Sequence, residues 1–275
     1  MKKMVSKTLV AVAVTAALGV FSSGAMAQTA FPDFVVNETI AGGTFSGITA
    51  DKITGNYTEV ITFSGNTFQA SLLWNAGQFV ANNGTSPVAS NLSPTGGTAT
   101  QYGLYALYQA SGTFSQSGGV TTFNFLPSAS SSLRLFLDPN SNTTFTAPGT
   151  GTAAWATVSS GDDILIANGV PTTGQGTLDP TLSTCTNGIN CGSFGATSSF
   201  GLTAAGSQFF TAPNPFYNVS FQSGQLNNFT PAGTQTINGS LDVVFSNAVP
   251  EPASVALIGL GLMGLGLSRR RSKKA

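Results

Sequence analysis

Between its two ends the chain has no stretch whose apolar residues repeat at the 3.6-residue period of a helix with charges on its outer face. What recurs is a short apolar run, often of period two, closed off by Gly, Asn, Pro or Ser. Tyr57, Glu59, Ile61 and Phe63 alternate with Thr58, Val60 and Thr62, as the two faces of a strand do. Residues 102–108 (YGLYALY) are apolar on both faces, which predicts a buried strand. SQSGG at 115–119 predicts a turn, with residues 120–126 (VTTFNFL) as the returning arm of a hairpin. Leu133, Leu135 and Leu137 predict another strand, ended by the turn-favouring Asp138-Pro139-Asn140. Runs at 153–158, 164–167, 198–203, 216–221 and 235–245 continue the pattern. The last is divided by Asn238-Gly239, a pair suited to a two-residue hairpin turn. The Gly/Thr/Pro-rich residues 171–180 read as a long loop or a weak boundary. The expectation is an all-β fold, a single β-sandwich or jelly-roll-like domain.

The two ends stand outside that fold. Lys2, Lys3 and Lys7 precede an apolar run at 9–21, and Ala25-Met26-Ala27 supplies an A-x-A cleavage site. Residues 1–27 therefore read as a signal peptide, with Gln28 as the first mature residue and 28–248 as the mature extracellular domain. Residues 249–275 form a second composite: Pro250-Glu251-Pro252, an apolar run at 253–267, then Arg269, Arg270 and Arg271 with Lys273 and Lys274. That run rises about 22 Å as a helix, short of a hydrocarbon core of about 30 Å. The basic cluster favours the cytoplasmic side. The tail thus reads as a short transmembrane helix that holds the chain transiently in the inner membrane, with the bulk outside. Two prolines keep the preceding segment extended and open to processing.

Pro250-Glu251-Pro252, the short Gly/Leu-rich span and the terminal Arg cluster together resemble the PEP-CTERM sorting signal of Gram-negative bacteria. The resemblance implies recognition by a membrane-embedded exosortase, removal of the span, and an extracellular or cell-surface product. Four internal segments, NYTEVITFSG (56–65), YGLYALYQASGT (102–113), LFLDPNSNTTF (135–145) and GLTAAGSQFF (201–210), resemble the flocculation-associated PEP-CTERM family. That resemblance implies a part in holding cells, exopolysaccharide or other surface proteins together in flocs and biofilm. It carries over no catalytic or ligand residues.

Charge is unevenly placed. The whole chain is formally neutral, but between Gln28 and Val249 two bases stand against nine acids, leaving −7. Such a body repels phosphate backbones, so no nucleic-acid partner is expected. The chain has no histidine, which excludes Ser-His-Asp and Cys-His catalysis and His-ligated metal sites. Neither enzymatic activity nor a cofactor is expected. Asp162-Asp163, the only adjacent acids, read as turn carboxylates. Cys185 and Cys191, the only cysteines, predict a disulfide in an exported chain. Asp138, Asn140 and Asn142 match the opening of a calcium loop, but Thr143 and Gly149 stand where that loop needs Gly and Glu, so a β-turn is the stronger reading. Trp74 and Trp155 read as core residues before sugar platforms. The runner-up function is a secreted carbohydrate-binding or carbohydrate-active domain using the same export route.

Overall fold

The computed structural model describes residues 31–93, 99–223 and 225–246. The residues expected at signal cleavage (Ala25, Ala27, Gln28), in the sorting motif and in the basic cluster lie outside them. The first strands in the chain are β1 (Phe34–Asn37), β2 (Ser46–Ala50), β3 (Lys52–Ser64), β4 (Thr67–Ala81), β5 (Ser86–Pro87) and β6 (Gly103–Ser117). There follow β7 (Val120–Leu126), β8 (Ser132–Asp138), β9 (Thr144–Thr146), β10 (Ala156–Val158), β11 (Ile164–Gly169) and β12 (Pro171–Leu178). The last are β13 (Gly192–Ser198), β14 (Gly201–Leu202), β15 (Phe210–Ala212), β16 (Asn218–Ser223), β17 (Thr234–Ser240) and β18 (Asp242–Ser246). The single α-helix among the described residues is short, α1 (Ala204–Phe209). The expected hairpin at 115–119 is the β6-β7 connection, where Gly118 and Gly119 supply the positive φ of the turn.

Three long strands set the architecture. β3 pairs with β4 along its length, and β4 pairs with β6. The other edge of β3 is shared by β17 and β18, which run in line with a break at Leu241. The far edge of β6 is shared in the same way by β8 and β7. From β18 the ladder continues through β16, β13 and β12 to β7. The ring β3-β4-β6-β7-β12-β13-β16-β18 therefore closes on itself, antiparallel throughout, and joins diagonally opposite corners of the long-stranded sheet. The body is a sandwich-like, flattened barrel. Closure removes the open edges around the core. β11 and β14 extend the sheet beyond β8, and β15-β1-β2 form a small separate sheet.

The core lies inside the ring. Trp74 and Tyr108 from the long strands meet Phe221 of β16, with ring centroids 6.5 and 5.4 Å apart. Tyr57 and Phe125 meet Phe194 of β13 at 5.4 and 6.2 Å. The outer face of the long strands is buried as well. Val60, Leu73, Tyr105 and Leu107 lie under Trp155, with Phe145 packed against them. Trp155 Nε1 donates to the Ser71 carbonyl at 3.1 Å. Both tryptophans are therefore core residues.

Three expectations are corrected. Asn238-Gly239 makes no hairpin turn but stays within β17, opposite Thr58 and Tyr57. Its glycine serves close approach, because a Cβ there would sit 2.5 Å from the Gln225 carbonyl oxygen. Most of residues 171–180 form β12 rather than a loop. Gly174 lets that strand lie against β13, where a Cβ would be 2.8 Å from the Gly195 oxygen. The run at 198–203 is interrupted: β13 ends at Ser198, β14 takes two residues, and Thr203 caps α1. Thr203 Oγ1 accepts from the Gly206 N–H at 3.0 Å, satisfying a free donor of the helix start.

The period-two pattern of β3 also turns a carboxylate inward. Ile237, Glu59, Leu72 and Tyr108 form a row across neighbouring strands on the core face. Glu59 is 5 % exposed. It lines a cavity of about 20 Å³ whose other walls are Ile61, Leu226, Ile237 and the rings of Phe68, Phe123, Phe125, Phe194 and Phe229. Burial in this apolar setting pushes the Glu59 carboxyl up from its ordinary 4.5 to about 7.

Candidate functional site

The segments on either side of α1 enclose a pocket of about 330 Å³. Phe200 lies between β13 and β14, and Gly201 and Leu202 form β14. Ser207 comes from α1, Phe210 and Thr211 from β15, and residues 213–216 lead on to β16. Its floor is the top of an aromatic cluster in which Phe210 and Phe200 are buried and Phe216 is half-buried. Phe210 and Phe216 are 4.8 Å apart, and Phe200 lies 6.2 and 6.0 Å from them. Phe245 of β18 backs all three at 5.5, 5.6 and 5.0 Å. Phe34 in turn packs on Phe245 at 5.0 Å, so the floor is held from behind. The exposed rim carries Ser207, Thr211 and Asn214. Ser207 donates its hydroxyl proton to the Thr203 carbonyl at 3.2 Å, and Thr211 donates to that of Val35 at 3.3 Å. Both hydroxyl oxygens can still accept, and the Asn214 amide offers a donor and an acceptor. No charged side chain lines the pocket.

The pocket sits where both ends of the described body emerge. Tyr217 donates to the Asp33 carbonyl at 3.0 Å, and Asn218 pairs with Ser246. Several of these residues fall in the strand runs 198–203 and 216–221 and in GLTAAGSQFF at 201–210, but none was expected to form a site. The available signal was FFTAPNPF at 209–216, an aromatic and proline-rich stretch with no charge.

The acidic candidates have structural employment. Asp138 ends β8, and its carboxylate accepts from the Asn142 and Thr143 N–H groups at 3.2 and 2.9 Å. Asn140 donates its side-chain amide to Asp162 at 2.6 Å. This is a side-chain-capped turn. Among the described residues, no group of three His, Cys, Asp or Glu is placed to hold a metal. Asp163 accepts from the hydroxyls of Tyr105 and Thr143. Burial raises its pKa, with Asp138 and Asp162 adding to the rise. Elsewhere, Glu38 is fully buried and accepts from the Asn91 N–H at 3.0 Å and the Tyr102 hydroxyl at 2.9 Å. It ties the first strands to the start of β6.

Cys185 and Cys191 are joined as a disulfide. The loop between them holds the segment that covers the Glu59 cavity. Cys191 N–H donates to Leu226 O at 2.8 Å, Leu226 N–H to Gly192 O at 2.8 Å, and Asn228 N–H to Gly188 O at 2.7 Å. Closing so short a loop stabilises by about 2 kcal/mol. Replacing both cysteines with serine is expected to lower stability by about that amount in denaturant unfolding. An unchanged midpoint would contradict this role.

A family model, the PEP-CTERM protein-sorting motif, matches residues 248–271. The matched span contains Pro250, Glu251 and Pro252 and also Arg269, Arg270 and Arg271. No curated protein and no solved structure matches the chain. The chain thus carries a PEP-CTERM sorting motif, which implies export, exosortase processing and association with the surface of a Gram-negative cell.

Proposed function

We propose that this PEP-CTERM-bearing chain is a non-enzymatic surface or matrix protein that supports flocculation or biofilm aggregation. Its mature β body would hold exopolysaccharide, other surface proteins or both, after an exosortase has removed the tail from the inner membrane. The observation that carries this reading is the order of the parts. The last strand of the body ends at Ser246, and the matched sorting motif begins at residue 248. Removal of the tail therefore leaves the closed barrel intact. The acidic, weakly charged body suits contact with neutral polymer rather than nucleic acid.

Deleting the gene is expected to abolish flocs, and the full chain to restore them. A version lacking residues 248–271 should fail to do so. Equal restoration by the truncated chain, or normal flocs in the deletion strain, would overturn the reading. The second reading is a carbohydrate-binding or carbohydrate-active domain on the same export route, and the uncharged aromatic pocket favours its binding form. Glycan hydrolysis lost on Asp163→Asn would contradict the non-enzymatic assignment.

A further inference from the structure

We propose that the pocket floored by Phe200, Phe210 and Phe216 binds one neutral sugar unit of a polysaccharide. Charge narrows the ligand first. No charged side chain lines the pocket, so an ionic ligand finds no counter-charge there. An anion must also approach a body carrying two bases against nine acids. The remaining class is neutral.

Shape and polarity narrow it further. Of the floor rings Phe210 and Phe200 are 2 % and 8 % exposed and show only an edge, the half-buried Phe216 offers the accessible ring, and the rim is two hydroxyls and an amide. Ser207 and Thr211 already donate to the Thr203 and Val35 carbonyls, but a purely apolar ligand would strip water from their acceptor sites and from the Asn214 amide without replacing it. A pyranose matches both surfaces: its C–H face covers the Phe216 ring, and its equatorial hydroxyls reach donors and acceptors at the edge. The volume of about 330 Å³ suits a ring-sized molecule, at the low end of ligand sites. Phe245 and Phe34 fix the floor from behind, so little ordering accompanies binding. One sugar unit is expected to bind with a Kd on the order of a millimolar, with avidity arising from repeated contacts along a polymer.

This inference deepens the matrix reading and rests on it for the source of the sugar. The test is direct binding, so its failure leaves the aggregation and processing experiments untouched. The whole chain, purified in a sugar-free detergent, is titrated by ligand-observed NMR. Cellobiose, maltose and diacetylchitobiose serve as neutral probes, glucuronate as the anionic probe and cyclohexanol as the apolar one. At least one neutral disaccharide is expected to saturate at millimolar concentration, with glucuronate and cyclohexanol about tenfold weaker or worse. Asn214→Ala, at an exposed position, should weaken the sugar about tenfold while leaving the melting temperature unchanged. Phe216→Leu, which keeps an apolar contact with Phe245 but removes the ring, should weaken the sugar to a similar extent and also lower the melting temperature, because the ring packs against Phe210 and Phe245. The proposal is overturned if no neutral probe saturates, if glucuronate or cyclohexanol binds as tightly as the best sugar, or if Asn214→Ala binds like the parent.

Discussion

Raising the pH from 4.5 to about 8 is expected to lower the stability of the β body by about 3 kcal/mol, and Glu59→Gln to remove most of that loss. The cause is the inward turn of β3, which sets a carboxyl among phenylalanine rings. In the unfolded chain Glu59 ionises near 4.5; in the folded chain it holds its proton to about 7. The folded state therefore binds more protons between those values. Its stabilising contribution is complete below about 4.5, falls as pH rises through 7, and is level above. Glu38 and Asp163, whose pKa values burial also raises, act with the same sign and leave a smaller slope in the variant. Tyr108, in the same row, stays protonated throughout, since burial and the Glu59 charge both raise it. Denaturant unfolding at several pH values reads the effect directly. A parent curve as flat as that of Glu59→Gln would show that the carboxyl is solvated.

Trp74→Ala is expected to destabilise the body by about 3–5 kcal/mol, the range for deleting a large aromatic side chain from a core. Trp74 is 1 % exposed and spans the space between the long strands and Phe221. Its indole N–H also donates to the Leu241 carbonyl at 2.8 Å, at the break between β17 and β18. The place opposite is kept clear by Gly55, where a Cβ would lie 2.4 Å from the indole nitrogen. Trp74→Phe keeps most of the apolar contact but leaves the Leu241 oxygen without that donor, and should cost about 1–3 kcal/mol. Gly55→Ala should destabilise through the same contact. A loss below about 1 kcal/mol for Trp74→Ala would mean that the ring does not hold the two faces of the barrel together.

Strand patterns were legible where one face met the core and the other met solvent or a thin cover. Residues 57–63 and Leu133, Leu135 and Leu137 fall within β3 and β8. The long strand β4 carried neither that alternation nor the unbroken apolar run of residues 102–108: Leu72 and Leu73 are both buried, one in the barrel and the other under Trp155, while Ser71, Asn75 and Gln78 interrupt the run. Glycine misled in two places. In Gly239 and Gly174 it marks a neighbouring backbone pressed close, which a single sequence does not distinguish from a turn. The disulfide followed from cysteine count alone. The pocket was not legible, since Phe200, Phe210, Phe216 and Phe245 are brought together only by the path of the chain around α1. The sorting tail was the reverse case. Its meaning lies in the order of short local features, so it could be read without any fold.

Processing at both ends is tested most directly by the intact mass of the protein recovered from medium and cell surface. A species beginning at Gln28 and ending near Pro250 is the result expected. A product that still carries Arg269, Arg270 and Arg271 would contradict removal of the tail.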